Sequence, residues 1–392
     1  MRELTTEERR ARLVRRHLLA PDARVSSVAA VTEALAALHS SDPATVYLSV
    51  RARTNSLDPE AIEGELYDER TVLRMLGMRR TLFVVARSAR PLVQAACTDA
   101  IAARERKRLE SALAATPGIA DPGAWLLEAE AAALDAVNAA GEAATADVVR
   151  AVPLLATKVQ LGVGRWALQP SAGSRVLPLL AAQGKLLRGR PRGSWISGQY
   201  RWAPTRAWLG EDQEPVAAPD ATAALVRGWL RASGPGTELD LRWWTGLTAR
   251  AIRAALTAVD AVAVRLEGGP GVGFVLPDDL EPVGGAEPAA ALLPTLDATT
   301  MAWKERDWYL GPHGAMLFDR NGNAGPTVWW GGRVVGGWSQ RRDGEIVVRL
   351  LEDVGSDAER AVERETERLA SWLGDVRLSP GFLPPFQRAL GA

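Results

Sequence analysis

The chain has 392 residues, of which 47% are hydrophobic and 24% charged, which is typical of a globular protein with two or three domains and excludes a disordered chain. Its 47 basic residues are balanced by 47 acidic ones, so it is not a non-specific polycation, and any surface for nucleic acid must be a local patch. One cysteine, Cys97, and three histidines exclude an internal disulfide framework and a conventional structural zinc site.

The N-terminal segment, Arg2 to Arg16, is charged and lacks the apolar core of an export signal. No apolar run has the length needed to span a bilayer. We therefore expect a cytoplasmic protein that needs no metal or other cofactor.

The first third of the chain predicts a series of helices followed by a buried strand. Glu7–Leu19 has the pattern of an amphipathic helix, and a second helix is expected to end near Leu38. Asp42 before Pro43 is typical of a helix start, because aspartate binds free backbone N–H groups and proline fits the first turn. A helix pair and the apolar run Leu82–Val85 complete the segment 43–86.

The second third repeats this order. Helices are predicted over Pro122–Ala139 and from Thr145 to Ala151, and alternating apolar residues favour a strand over Lys158–Leu168. Two further strands, Lys185–Arg192 and Ser197–Ala203, form a hairpin.

The segment Thr237–Pro277 has the clearest pattern. Thr237 and Asp240 have the spacing of a helix N-terminus, and Gly246 is suited to end that helix. A second helix follows, and then a hairpin turns at Gly268–Gly271. Two helices and a hairpin constitute a winged helix, a module whose second helix most often lies in a DNA groove.

The remaining residues predict a β-rich end to the chain. Strands are expected over Ala315–Phe318 and Thr327–Trp330, with a turn at Gly331-Gly332 and a last amphipathic helix capped by Ser356. The predicted fold class is therefore α+β, with three tandem winged-helix units followed by a small β-rich C-terminal cap. The expected domains are 1–120 with the first unit, 121–210 with the second, 211–280 with the third, and 281–392 with the cap.

Basic residues gather at three places in this arrangement. Four lie in the second unit's hairpin, two follow the first unit's helices, and two end the helix that starts at Asp42. All eight are candidate DNA-phosphate contacts: Lys185, Arg188, Arg190, Arg192, Arg79, Arg80, Arg51 and Arg53. The alternative is ordinary solvated surface arginine.

Several motifs of common enzymes are missing. The sequence has no phosphate-binding GxxxxGK[ST] loop and no GxSxG nucleophile elbow, and Gly162 with Gly164 is too short for a dinucleotide fingerprint. The usual nucleotide and ester chemistries are therefore unsupported.

Short motifs in a fixed order give a more specific indication over nearly the whole chain. They are the stretches 38–43, 78–82, 191–195, 292–294 with Asp297, and 332–336. Together with the three units and the cap, they resemble the AlkZ/YcaQ-like DNA glycosylases. The resemblance implies excision of bulky alkylated purines, including N7 adducts and interstrand crosslinks, from damaged double-stranded DNA, and a nucleoid-associated location.

The active motif of that family resembles glutamine–any–glutamine, or glutamine–any–aspartate, at the end of the second helix. This chain has His39 and Ser41 at the two positions, and Phe83 where many relatives have histidine. We predict that His39 accepts a proton from the attacking water, that Ser41 orients the water, and that Asp42 stabilises positive charge on the sugar. For Asp42 the alternative is helix capping, and for His39 it is a structural role.

Two other functions agree with the same residues. A protein that keeps the DNA-binding scaffold but has lost turnover would act as a lesion binder or regulator, which the replaced glutamines favour. Winged helices that bind proteins would agree with the zero net charge.

Overall fold

The computed structural model describes residues 1–162, 168–210, 214–269, 271–285 and 287–391, and over these ranges the chain has a mixed α+β fold. It begins with strand β1 (Glu3–Leu4) and helix α1 (Thr6–Arg16), whose first turn is capped by the Thr5 side chain. β1 pairs in parallel with a strand far along the chain, Val262–Leu266, so the N-terminus is tied to the third unit.

The first unit contains the predicted helix pair and the predicted strand at 82–85. That strand pairs with another at 72–76, which the sequence did not predict, and one short strand precedes the helix pair. Asp42 and Asp58 cap its second and third helices through backbone N–H groups. The three strands form a sheet in the order β2-β4-β3. The elements are α2 (Val28–Ala34), β2 (Leu38–His39), α3 (Pro43–Arg53), α4 (Pro59–Glu63), β3 (Val72–Leu76) and β4 (Leu82–Ala86).

A helical connection joins the first unit to the second. It consists of α5 (Arg90–Val93) and α6 (Asp99–Ala114), separated by one wider turn.

The second unit repeats the order of helix, short strand, helices and hairpin. Asp121 caps its long first helix, and its sheet has the order β5-β7-β6. The elements are α7 (Pro122–Ala140), β5 (Ala143–Ala144), α8 (Thr145–Ala151), α9 (Gly173–Ala182), β6 (Leu186–Pro191), β7 (Tyr200–Pro204) and α10 (Thr205–Leu209). The strand expected at 158–168 is reduced to isolated bridges at Lys158 and Leu161, and 163–167 lie outside the described residues.

The third unit has the same order and confirms the predicted caps. Thr237 and Asp240 form a reciprocal capping box, Gly246 ends the helix in the left-handed conformation, and Thr248 caps the next helix. The elements are α11 (Ala218–Ser233), β8 (Gly236–Thr237), α12 (Glu238–Thr245), α13 (Ala249–Ala258), β9 (Val262–Leu266) and β10 (Val272–Val275). Their sheet has the order β1-β9-β10-β8.

The C-terminal part is an antiparallel sheet in sequential order with helices against it. Its elements are β11 (Ala290–Leu293), α14 (Asp307–Leu310), α15 (Gly314–Leu317), β12 (Thr327–Trp330), β13 (Arg333–Gln340), β14 (Ile346–Leu350), α16 (Ser356–Leu373) and α17 (Pro385–Ala389). The predicted strand at Ala315–Phe318 is wrong, because that run forms α15. A short apolar run does not distinguish a strand from a buried helical turn by its periodicity.

Buried residues form one large core shared by the first unit, the third unit, the C-terminal part and the hairpin side of the second unit. A second core lies between α6 and the rest of the second unit, and a small third one lies between β1, β9 and β10. The first unit and the C-terminal part are therefore a single packed body around α3 and β11. No helix of the described ranges has the length and apolar character needed to cross a bilayer.

A fully buried ion pair lies at the centre of the shared core. The Arg53 side chain at the end of α3 donates to both carboxylate oxygens of Asp297, at 2.7 and 3.0 Å, and both side chains are inaccessible to solvent. Asp297 also accepts from the Ser49 hydroxyl at 2.6 Å and the Thr299 backbone N–H at 2.8 Å. Burial alone would raise the pKa of Asp297, but the charge and hydrogen bonds of Arg53 hold it below its usual value.

Replacing Asp297 with alanine is expected to destabilise the protein by about 3–5 kcal/mol, because it leaves the Arg53 charge buried without a counter-ion. Urea denaturation measures the loss. The control is Asp357→Ala, which removes an exposed ion pair with Arg360 and is expected to cost less than about 1 kcal/mol. Equal effects of the two substitutions would show that the buried pair has no special role.

Candidate active site

The loop 39–42 is fixed at both ends. β2 ends at His39, and the next backbone N–H, that of Ser40, donates to the carbonyl oxygen of Leu82 at 2.8 Å. At the other end, the Asp42 carboxylate caps α3 by accepting the N–H of Ala44 at 2.9 Å. The loop therefore has a defined shape at the junction of a sheet edge and a helix N-terminus.

The His39 side chain points into the interior and is only 5% exposed. Its ring packs edge-on against Phe83, with 5.2 Å between the ring centroids. It lines a cavity of about 10 Å³, which is close to the smallest volume that holds one water molecule. The walls come from the first unit, the third unit and the C-terminal part: Leu35, Ala37, His39, Arg79, Phe83, Ser233, Trp244, Ala298, Met301 and Ala302.

Burial makes His39 a neutral imidazole at physiological pH. Desolvation lowers its pKa to about 4, and the nearby positive charge of Arg79 acts in the same direction. The Ser41 backbone N–H donates to Nδ1 at 3.4 Å, which is long for a hydrogen bond. A water molecule would have to replace this weak donor before Nδ1 could accept a proton from it.

Ser41 and Asp42 have different environments. Ser41 is exposed, whereas Asp42 is half-buried, and burial raises the pKa of its carboxyl group against the opposing effect of backbone hydrogen bonds. Asp42 lines a separate cavity, between α3, β13 and the segment 378–387. The structure thus brings His39 together with Arg79, while Asp42 acts as the cap of α3.

Arg79 and Arg80 lie in the tight turn between β3 and β4, and both have left-handed backbone conformations, with φ of 54° and 63°. The Arg79 guanidinium lies 4.1 Å from the centroid of the Trp243 ring, in the third unit. Arg80 is exposed and pairs with Glu105 at 2.9 Å. Both side chains are at or near the surface, so a phosphate contact by either one stays a prediction.

The expected DNA contacts of Arg51 and Arg53 are corrected by the structure. Their side chains are only 2% and 0% exposed, respectively. Arg53 pairs with Asp297, and Arg51 lies beside Glu365 of α16, with burial lowering its pKa to about 9. The two arginines hold α3 in the core and cannot reach a DNA backbone.

The hairpin of the second unit packs on the first unit. Arg188 lies 4.1 Å from the centroid of the Trp202 ring, and burial lowers its pKa to about 10. Arg190 pairs with Asp68 at 2.7 Å and with Glu63 at 3.3 Å. These two arginines are already bound within the protein, and their contact with DNA stays a prediction that requires exchange of partners.

The other two cations of this hairpin are exposed. Lys185 precedes β6, and Arg192 follows it and pairs with Asp147. They are the members of the hairpin best placed to meet a phosphate.

Sequence reasoning missed two residues beside Arg79. Arg306, which precedes α14, lies 5.1 Å from the centroid of the same Trp243 ring. Neither Trp243 nor Arg306 belongs to a recognisable motif, and about 60 residues of chain separate them, so only the folded structure brings them together.

Metal ligation has no support in the described ranges, where no group of three or more His, Cys, Asp or Glu side chains is arranged to hold an ion. The buried thiol of Cys97 has a pKa raised to about 12 by desolvation, so it is not a reactive nucleophile.

Comparison with known proteins gives two matches. The family model described as DNA glycosylase AlkZ-like matches residues 32–372. A solved structure, that of Streptomyces sahachiroi DNA glycosylase AlkZ, is similar over 96% of this chain and 99% of its own, with a TM-score of 0.73 and 21% sequence identity. No curated protein sequence matches. The structural likeness establishes the fold, and because the family model covers most of the sequence, the chain belongs to the AlkZ-like DNA glycosylase family.

Proposed function

We propose that this protein is a monofunctional DNA glycosylase that hydrolyses the N-glycosidic bond of bulky alkylated purines in double-stranded DNA, such as N7 adducts and interstrand crosslinks. One observation carries the proposal. The fixed loop 39–42 presents an exposed Ser41 beside a neutral His39, at the positions where the family has its active motif.

The scaffold supports binding to duplex DNA. The order of helix, short strand, helices and hairpin occurs three times, as three tandem winged helices require. We propose that these units, divided near 120, 210 and 280, curve around the duplex with the cap behind them. A protein that repairs chromosomal DNA works in the cytoplasm at the nucleoid, which is the location we infer.

The chemistry needs little from the protein. In an N7-alkylated purine the base is cationic, so the C1′–N9 bond breaks with its electron pair leaving on a neutral base. The sugar becomes an oxocarbenium-like cation, and water adds at C1′ as its proton passes to Nδ1 of His39. This step requires the cavity beside His39 to open towards the DNA, because a space of about 10 Å³ holds a water molecule and not a nucleotide. A histidine with a low pKa is a weak base, but so electrophilic a carbon requires only a weakly activated water.

In this mechanism, Ser41 and Asp42 orient the water and stabilise the sugar cation. The exposed Ser41 hydroxyl orients the water against the imidazole edge. Asp42 caps α3 and so fixes the position of Ser41, and its carboxylate favours the cationic sugar.

The alternative is a non-catalytic lesion binder or regulator. Its support is the replacement of both glutamines of the family motif by His39 and Ser41, since a buried, weakly basic imidazole is a poor substitute for an amide that holds water.

Incubation with a duplex containing one N7-alkylguanine is expected to yield an abasic site, detected as strand cleavage in alkali under single-turnover conditions. His39→Ala removes the general base and is expected to slow the reaction about 100-fold. The matched control is His313→Ala, which removes a histidine beside Glu352 in the C-terminal part and is expected to leave the rate unchanged.

Two further outcomes separate the alternatives. The double variant His39→Gln with Ser41→Gln installs the family pair in the same loop. If it releases the base while the wild-type protein binds the duplex tightly and releases none, the lesion-binder function is correct and catalysis by this chain is refuted.

The pH dependence provides an independent prediction. The unprotonated imidazole is the base, and its pKa in the free protein is about 4, below the usual value of about 6.5. The second-order rate constant, measured with the enzyme in excess over DNA but below saturation, is therefore expected to stay level as the pH falls from about 7 to about 5 and to decrease only near pH 4. An acid limb centred near pH 6.5 would contradict a buried His39 as the base. Base loss from the DNA alone, measured at each pH, is subtracted.

A further inference from the structure

Two arginines from distant parts of the chain share one aromatic ring next to the His39 cavity. The Arg79 guanidinium lies 4.1 Å from the Trp243 ring centroid, and that of Arg306 lies 5.1 Å from it. Arg306 also lies 4.5 Å from the ring of Phe318. Arg79 itself lines the His39 cavity, so this pair adjoins the candidate active site.

The two charges lack a counter-ion. Among the described residues, neither guanidinium forms an ion pair or a side-chain hydrogen bond, although most arginines of this protein do. The positive charge of Arg306 also disfavours the charged form of Arg79. The pKa of Arg79 is lowered to about 10, mainly by burial and to a smaller extent by Arg306. Two guanidinium groups are therefore held against one ring, with no carboxylate of the described residues at ion-pair distance from either.

Rigid neighbours hold Arg79 in this position. Its backbone is left-handed, with φ of 54°, which is uncommon for a residue with a side chain. The turn at the end of α12 packs directly against it. A Cβ atom built on Gly246 would lie only 3.3 Å from the backbone nitrogen of Arg79. Gly246 also has a positive φ of 76°. The first and third units are thus fitted together where the two arginines meet.

A comparison within the protein shows what distinguishes this pair. Tyr200 also lies between two arginines, Arg74 and Arg188, at 4.3 and 5.7 Å. Arg74, however, is only 2% exposed, so an external anion cannot reach it. Arg79 and Arg306 are partly exposed, so each can be reached from the surface.

We propose that Arg79 and Arg306, which both lie against the Trp243 ring, form a phosphate clamp that binds the DNA backbone and places the target nucleotide at His39. A guanidinium presents a planar fork of donors that suits phosphate oxygens, and its stacking on an aromatic ring fixes the direction of that fork. The clamp rests on the proposed function, because it presumes a DNA ligand. Arg79 and Arg306 are positioning residues in this proposal, since they bind backbone and not the reacting atoms.

The test measures binding separately from base release. The probe is a duplex with a tetrahydrofuran abasic-site analogue, which the protein binds without chemistry, and affinity is followed by fluorescence anisotropy at a series of salt concentrations. Each phosphate contact contributes about 0.9 to the slope of log affinity against log salt. The double variant Arg79→Gln with Arg306→Gln is expected to reduce that slope by about 1.8 and to bind about tenfold to a thousandfold more weakly.

Two variants control for charge and folding. Arg349→Gln removes an exposed arginine that lies 4.7 Å from the Phe386 ring in the C-terminal part and is expected to leave the slope unchanged. Arg306→Lys keeps the charge and is expected to keep most of the slope while losing the planar fork. An unchanged slope in the double variant would overturn the clamp.

A measurement on the wild-type protein avoids any folding defect of the variants. Neutral methylphosphonate linkages are placed one at a time along both strands of the probe. The clamp predicts that one or two adjacent linkages beside the abasic analogue weaken binding, and that the double variant no longer responds to them. Equal responses at all positions, or none, would refute it.

These outcomes are distinct from failure of the proposed reaction. A wild-type protein that shows the localised phosphate dependence but releases no alkylated base retains the clamp and lacks the glycosylase activity. A protein that releases the alkylated base normally but shows no localised phosphate dependence has the glycosylase activity and lacks the clamp.

Discussion

The buried pair of Arg53 and Asp297 is the interaction on which the rest of this structure depends. It connects the last turn of α3 to the segment that follows β11 and so joins the first unit to the C-terminal part inside one core. A buried charge is tolerated only when it is paired and hydrogen-bonded, and both groups meet that condition here. The N-terminus of α3 carries the loop 39–42, so this pair also determines where the candidate active site lies.

The site lies where three parts of the molecule meet. The cavity beside His39 has walls from the first unit, the third unit and the C-terminal part, and Trp243 of the third unit supports Arg79 of the first. Closure of these parts around a small cavity keeps the imidazole neutral by excluding water. The same closure holds two arginines near the surface without a counter-ion. The positive charge near the surface suits the anionic backbone of DNA, and a neutral imidazole can accept a proton from water.

Many of the arginines are used within the protein. Arg51 and Arg53 hold α3, Arg190 holds the second unit's hairpin on the first unit, and Arg188 stacks on Trp202 within that hairpin. A guanidinium can stack on a ring, pair with a carboxylate or donate to a carbonyl. Arginine content alone therefore does not identify a DNA-binding surface in a chain of this composition.

Local sequence determined many of the helices and several of their caps, although Ser356 starts the last helix without capping it. The capping box at Thr237, the left-handed Gly246 and the cap of α3 at Asp42 depend on residues a few positions apart, so their sequence patterns predicted them correctly. The strand predicted at 315–318 was wrong because a run of four residues does not fix its own secondary structure. Only the tertiary structure decided which arginines are buried and that Arg306 meets Arg79, because burial and ion pairing depend on residues hundreds of positions apart. For the same reason, the sequence could name His39 as a candidate but could not predict its low pKa or its charged neighbour Arg79.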